Sequence, residues 1–127
     1  MTTLDEAKQD LYEMLVANAT TGQPRSELSL AARVYKGEPT PGQMLGPLAI
    51  TITTSSIEPS EFVFVLRAYA QLATGALLQQ QRLDQLVYTL EQYLDGKIPR
   101  NNWTWAYSEQ LDALIAECSL SYPRDDF

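Results

Sequence analysis

The sequence predicts an α+β fold, with a largely antiparallel sheet of about five strands packed against two α-helices. Two stretches repeat apolar residues at the 3.6-residue period of a helix. Several others alternate their side chains with the two-residue period of a strand. The elements follow as helix, strand, strand, strand, helix, strand, strand. No repeat or shift of composition marks a boundary, so the 127 residues read as a single domain over 1–127. A chain of this length buries roughly two-thirds of its unfolded surface, enough for a core without staples.

The first helix opens on Thr3 and Glu6, a capping-box pair, and Asp5 and Glu6 lie where the helix dipole favours anions. Leu4, Ala7, Leu11, Met14 and Leu15 form its apolar face, and the run ends near Asn18, before turn chemistry at Gly22 and Pro24. A strand is expected from about Glu27 to Lys36, with Leu28, Leu30, Ala32 and Val34 on one side. Three glycines and three prolines between Gly37 and Pro47 forbid regular structure there, leaving a loop of a length that often carries function. A second strand runs from Leu48 to about Ser55 and is broken by Ile57-Glu58-Pro59-Ser60. The third, Glu61 to about Leu72, is apolar on both faces. Phe62, Phe64, Leu66 and Ala68 share one side, while Val63, Val65, Arg67 and Tyr69 share the other. Such a strand is central, or commits one face to a partner.

The second helix spans Leu77 to Leu94, with Leu83, Leu86, Val87, Leu90 and Leu94 as its buried stripe and Gly96 at its stop. Trp103, Trp105 and Tyr107 alternate with Thr104 and Ala106 as a short strand. From Leu111 onward two readings compete. Leu111, Leu114, Ile115 and Cys118 fit a helix; Leu114, Ala116, Cys118, Leu120 and Tyr122 fit a strand ending at Pro123. The alternation runs two positions further than the helical pattern, which favours the strand.

Composition removes most catalytic chemistry. There is no histidine, which excludes Ser-His-Asp and Cys-His nucleophiles and histidine metal sites. One cysteine, Cys118, builds neither an internal disulfide nor a thiolate cluster and reads as a buried, inert thiol. Asp84, Glu91 and Asp95 read as a solvated helix face, and Glu58 and Glu61 as charges beside a turn. Gly37, Gly42 and Gly46 match no phosphate-cradling spacing. A net charge of −7 disfavours phosphate backbones, and so disfavours reading Trp103 and Trp105 as a base-stacking platform. A core or a subunit seam suits them better. No apolar run approaches the 18 or so residues of a membrane span. The start of the chain lacks a cationic stretch and an apolar signal core, so cytoplasm, or a particle assembled there, is the expected location. No cofactor and no metal is expected.

One resemblance joins these pieces. Arg33-Val34-Tyr35 leads through Glu38-Pro39 to Gly46-Pro47, then to Ile57-Glu58-Pro59 and the strand from Glu61 to Tyr69. Leu83-Asp84-Gln85-Leu86, Trp103-Thr104-Trp105, Leu111-Asp112-Ala113-Leu114 and Pro123-Arg124-Asp125 follow. In order and spacing, over roughly the whole chain, this resembles the tail terminator (tail completion) proteins of long-tailed bacteriophages. The resemblance implies a non-enzymatic virion protein. Its hexameric ring caps the head-proximal end of the tail tube, stops tube polymerisation and meets the head connector. Expected partners are further copies of the chain, the tail tube protein and the connector protein, with genomic DNA passing the lumen without specific binding and no membrane involved. Negative charge facing the lumen would repel that DNA. The alternative is a small acidic secretion-type chaperone that binds a segment of a partner protein. The glutamine run Gln79-Gln80-Gln81 and the Lys97–Asn102 loop are left without a role.

Candidate subunit or tube contacts are Pro39, Pro41, Met44 and Leu45 in the loop, and Trp103 and Trp105 on the short strand. The loop has no core of its own for Met44 and Leu45. Replacing both with Asp is expected to abolish ring assembly or tube capping while leaving circular dichroism unchanged. Normal capping by that variant would reject the loop as a contact.

Overall fold

The computed structural model describes residues 3–19, 33–37, 48–72, 75–96 and 98–124. In chain order the elements are α1 (Leu4–Ala19), β1 (Arg33–Tyr35), β2 (Leu48–Ile57), β3 (Glu61–Gln71), α2 (Ala76–Leu94), β4 (Thr104–Ser108) and β5 (Ala113–Pro123). The strands form one sheet in the order β1-β2-β3-β5-β4. β1 runs parallel to β2, and every other neighbouring pair is antiparallel. The α+β architecture expected from the pattern is therefore the one observed, as a mixed, mostly antiparallel sheet.

β3 occupies the centre, pairing with β2 on one side and along its whole length with β5 on the other. Its alternation divides the molecule. Phe62, Phe64, Leu66, Ala68 and Ala70 are buried and face the helices. They meet Ala7, Leu11 and Leu15 of α1, Leu83, Leu86, Val87, Leu90 and Leu94 of α2, Leu48, Ile50 and Ile52 of β2, and Ala116, Cys118 and Leu120 of β5. Both helices thus lie on one face of the sheet. The opposite face carries a smaller cluster of Ala49, Tyr69 and Ala113, flanked by Tyr35, Leu111 and Ile115.

Local chemistry sets the ends of these elements. The Thr3 hydroxyl accepts the Glu6 amide at 3.1 Å, the N-cap bond expected of that pair. At the close of α2, Asp95 (φ −59°, ψ 126°) precedes Gly96 at φ +75°, the two central conformations of a type II turn. A side chain at Gly96 meets no neighbour, so glycine is required there by backbone conformation and not by space. β2 continues to Ile57, beyond the Ser55 end expected from alternation. The register shifts between Thr54 and Ser56, and Ile57 rather than Ser56 comes to lie opposite Phe62. A bulge inverts the alternation, so the sequence pattern reads as a break where the strand goes on.

β5 settles the competition over 111–122 in favour of the strand. Leu111 and Asp112 belong to the turn from β4, where Asp112 takes φ +47°, and pairing begins at Ala113. Leu114, Ala116, Cys118, Leu120 and Tyr122 then point to the helix side, as the two-residue period predicts. The Tyr122 hydroxyl donates to Asp10, tying β5 to α1. The Arg124 guanidinium donates to the Glu58 carbonyl oxygen at 2.9 Å and lies 4.8 Å from the Phe62 ring centre, closing β5 over the β2–β3 turn. Of the strand expected over Glu27–Lys36, Arg33–Tyr35 is seen as β1, with Val34 toward the main core and Tyr35 toward the smaller cluster; Glu27–Ala32 lie outside the described residues.

Phe64→Ala is expected to destabilise the fold by about 3–5 kcal/mol in urea titrations, the usual cost of emptying a fully buried aromatic site. Val65→Ala, one residue away on the partly exposed opposite face, is expected to cost far less.

Candidate functional site

β4 is the outermost strand on its side of the sheet, and four of its five residues are exposed with the fifth half-exposed. Its sequence, Thr-Trp-Ala-Tyr-Ser, has no lysine, proline or other charge of the kind that blunts sheet edges. Register fixes where its aromatic rings go. Trp105 lies opposite Ala116 and Tyr107 opposite Leu114, both on the helix side of β5. Trp105, Tyr107 and Tyr88 of α2 are 51%, 52% and 60% exposed, a concentration of uncovered aromatic surface.

Asp84, Val87, Tyr88 and Glu91 follow one another at helical spacing on α2, so they share a face. With Asn102, Trp103 and Trp105 they line an open groove of about 530 Å³ between α2 and β4. Trp103 is half-buried against the main core and forms the inner wall, and Trp105 forms the outer one. Of the two tryptophans named from sequence, Trp103 packs on the core and Trp105 stays exposed. Pro39, Pro41, Met44 and Leu45 lie outside the described residues.

The segment before β4 gives this wall its shape. The Asn101 amide donates to Ser119 O at 3.1 Å, and the Ser121 amide donates to Pro99 O at 2.9 Å. The Ser119 amide donates to the Asn101 side chain at 2.6 Å. Residues 99–101 therefore cover the end of β5 that β4 does not reach. Arg100 turns back to α2 and holds Glu91 with both carboxylate oxygens engaged, one through Nε at 2.9 Å. This bidentate pair holds the Glu91 carboxyl below its ordinary range, and Glu91 in turn raises Arg100. Pro99, Arg100 and Asn101, in a loop left without a role in the sequence, are thus the brace of the groove.

Glu91 is therefore a structural anion and not a free member of a solvated face. Sequence spacing held no sign of that, because its partner lies across a turn. Gln79 was legible in principle. It sits four residues before Leu83, on the buried stripe, and is fully buried, accepting from Arg82 Nη1 at 2.9 Å. Among the described residues Asp84 pairs with no cation.

Other regions bring together less. On the opposite sheet face Arg67 pairs with Glu117, between half-exposed Val65 and buried Tyr69 along β3, and burial raises the Tyr69 phenol. A polar cleft along α1 holds Asp5, Glu6, Lys8, Asp10, Glu13 and Lys36, with charges of both signs interspersed. Lys36 there is engaged by Gln9 and lies over the Tyr12 ring. Cys118 is buried, and desolvation pushes its thiol up to about 12. Among the described residues no group of His, Cys, Asp and Glu side chains is arranged to hold a metal ion, and no helix is long and apolar enough to cross a membrane. No family model matches the sequence, and no curated protein matches it.

A carboxyl held below its ordinary value contributes stability that is present above the unfolded value, 4.5, and lost as pH falls through the lower folded value. The difference in urea midpoint between the native protein and Glu91→Gln is therefore expected to be constant near neutrality and to shrink in acid below pH 4.5. Cys118 is expected to resist iodoacetamide at pH 8 in the folded protein and to react fully in denaturant, as followed by mass spectrometry.

Proposed function

We propose that this chain is a non-enzymatic assembly subunit of the tail-terminator kind. Copies of it form a ring, with six as the expected number, that caps the head-proximal end of a tail tube, ends its growth and offers a surface to the head connector. It acts in the virion, at the neck, after assembly in the host cytoplasm, and lets genomic DNA pass without specific binding. One observation carries the reading: β4 is an uncharged, aromatic sheet edge left open on both faces. Natural domains guard such an edge unless a partner covers it. The small two-layer fold, with its helices confined to one sheet face, supports the same role, since it leaves both a margin and a face for neighbours.

Ring contacts are heterologous, so a patch on one subunit meets a different patch on the next. β4 with Trp105 and Tyr107 is instead the surface offered to a different protein, the tube or the connector. Light scattering and negative-stain microscopy with purified tail tubes test the proposal. A closed ring or a capped tube supports it. A fixed dimer that captures a partner segment would instead favour the acidic chaperone, and turnover of a small molecule would overturn both. Trp105→Asp is expected to abolish capping with unchanged circular dichroism, because the ring is half-exposed and does not anchor the core. Capping that survives this change would remove β4 from the contact.

A further inference from the structure

We infer that the groove between α2 and β4 receives an extended strand of a partner protein, and that this strand carries an arginine or lysine seated between Trp105, Tyr88 and Asp84. The inference rests on the reading of the chain as an assembly subunit that docks through β4, and it names the chemistry of what docks. Three observations converge on it.

The edge supplies the first. An open antiparallel margin offers backbone donors and acceptors to one more strand, and added strands take their affinity from those bonds and their specificity from alternate side-chain pockets. The groove lies beside this margin on the helix side, where every second residue of an added strand would point.

Electrostatics supplies the second. The groove presents the rings of Trp105 and Tyr88, whose faces attract cations, and two carboxylates. Glu91 is consumed by Arg100, whereas Asp84 is exposed and no described cation pairs with it. An aromatic wall with one uncompensated carboxylate fits a guanidinium or ammonium group and rejects an acidic one.

The occupant follows from the third. A second copy of a chain with net charge −7 brings like charge to this acidic groove. A different protein is the better source of the strand.

The test uses the full-length protein and two synthetic five-residue peptides of alternating valine and threonine, one with a central arginine and one with citrulline, its neutral counterpart. Amide chemical shifts are followed by NMR during titration. The arginine peptide is expected to shift the Thr104–Ser108 amides and to bind at least about fivefold more tightly than the citrulline peptide. Asp84→Asn is expected to weaken the arginine peptide about threefold and leave the citrulline peptide unaffected. Equal binding of the two peptides, shifts confined to elements other than β4 and α2, or the absence of shifts at millimolar peptide overturns the inference. Capping assays separate this outcome from failure of the wider reading. If Trp105→Asp abolishes capping while Asp84→Lys leaves it intact, the cation pocket is wrong and the assembly role stands. If the arginine peptide binds as expected but the protein neither forms rings nor caps tubes, the pocket stands and the assembly role falls.

Discussion

Everything in this molecule depends on the two-faced alternation of β3. Because its neighbours on both sides are strands, its backbone is satisfied laterally and its side chains are free to serve two different surfaces. One row, Phe62 through Ala70, carries both helices. The Phe64 ring meets Phe62 at a tilt and Tyr122 edge to face, with ring centres 6.4 and 6.3 Å apart, which links the middle of that row to β5. Moving β3 by one residue would exchange the rows and leave the helices facing Val63, Val65 and Arg67, a set that contains a charge and lacks the volume of the phenylalanines. The position of β5, and through it the position of β4, is fixed by the same register.

Much of this was legible from period alone. The apolar stripes of both helices, the rows of β3 and the helix-side row of β5 were set by spacing, because each is a local repeat that burial then reads out. What period does not encode is lateral order. Nothing in Arg33-Val34-Tyr35 says that it lies parallel to β2, and nothing in Trp103-Thr104-Trp105 says that it forms the outer margin beside β5. Those facts come from pairing across long sequence separations. Ser55 shows a second limit: an inserted residue in β2 reverses the phase and disguises two further residues of strand.

The candidate site divides the same way. Trp103 and Trp105 could be singled out as unusual on a short strand, yet their sequence does not distinguish the one that packs from the one that faces outward. The difference arises where the chain leaves the stretch bonded to Ser119 and Ser121 and enters β4. Asp84 and Glu91 read as an ordinary exposed helix surface in sequence, and Tyr88 carries no signal there. They gain meaning from what lies across from them, and that neighbour is set by sheet order. Arg100 became interpretable for the same reason: its carboxylate partner lies on the preceding helix, beyond a glycine turn.

The shortness of β4 has a further consequence. Its five residues give a visiting backbone roughly 17 Å of margin, bounded by the turn at Glu109 on one side and the irregular stretch around Asn102 on the other. A contact of that length is weak taken singly, so a misplaced partner dissociates quickly. In the proposed ring several such contacts to one neighbour would act together, each after the first being effectively intramolecular. Errors can then be shed early while the finished object persists, an order of events that a longer and stickier margin would not permit.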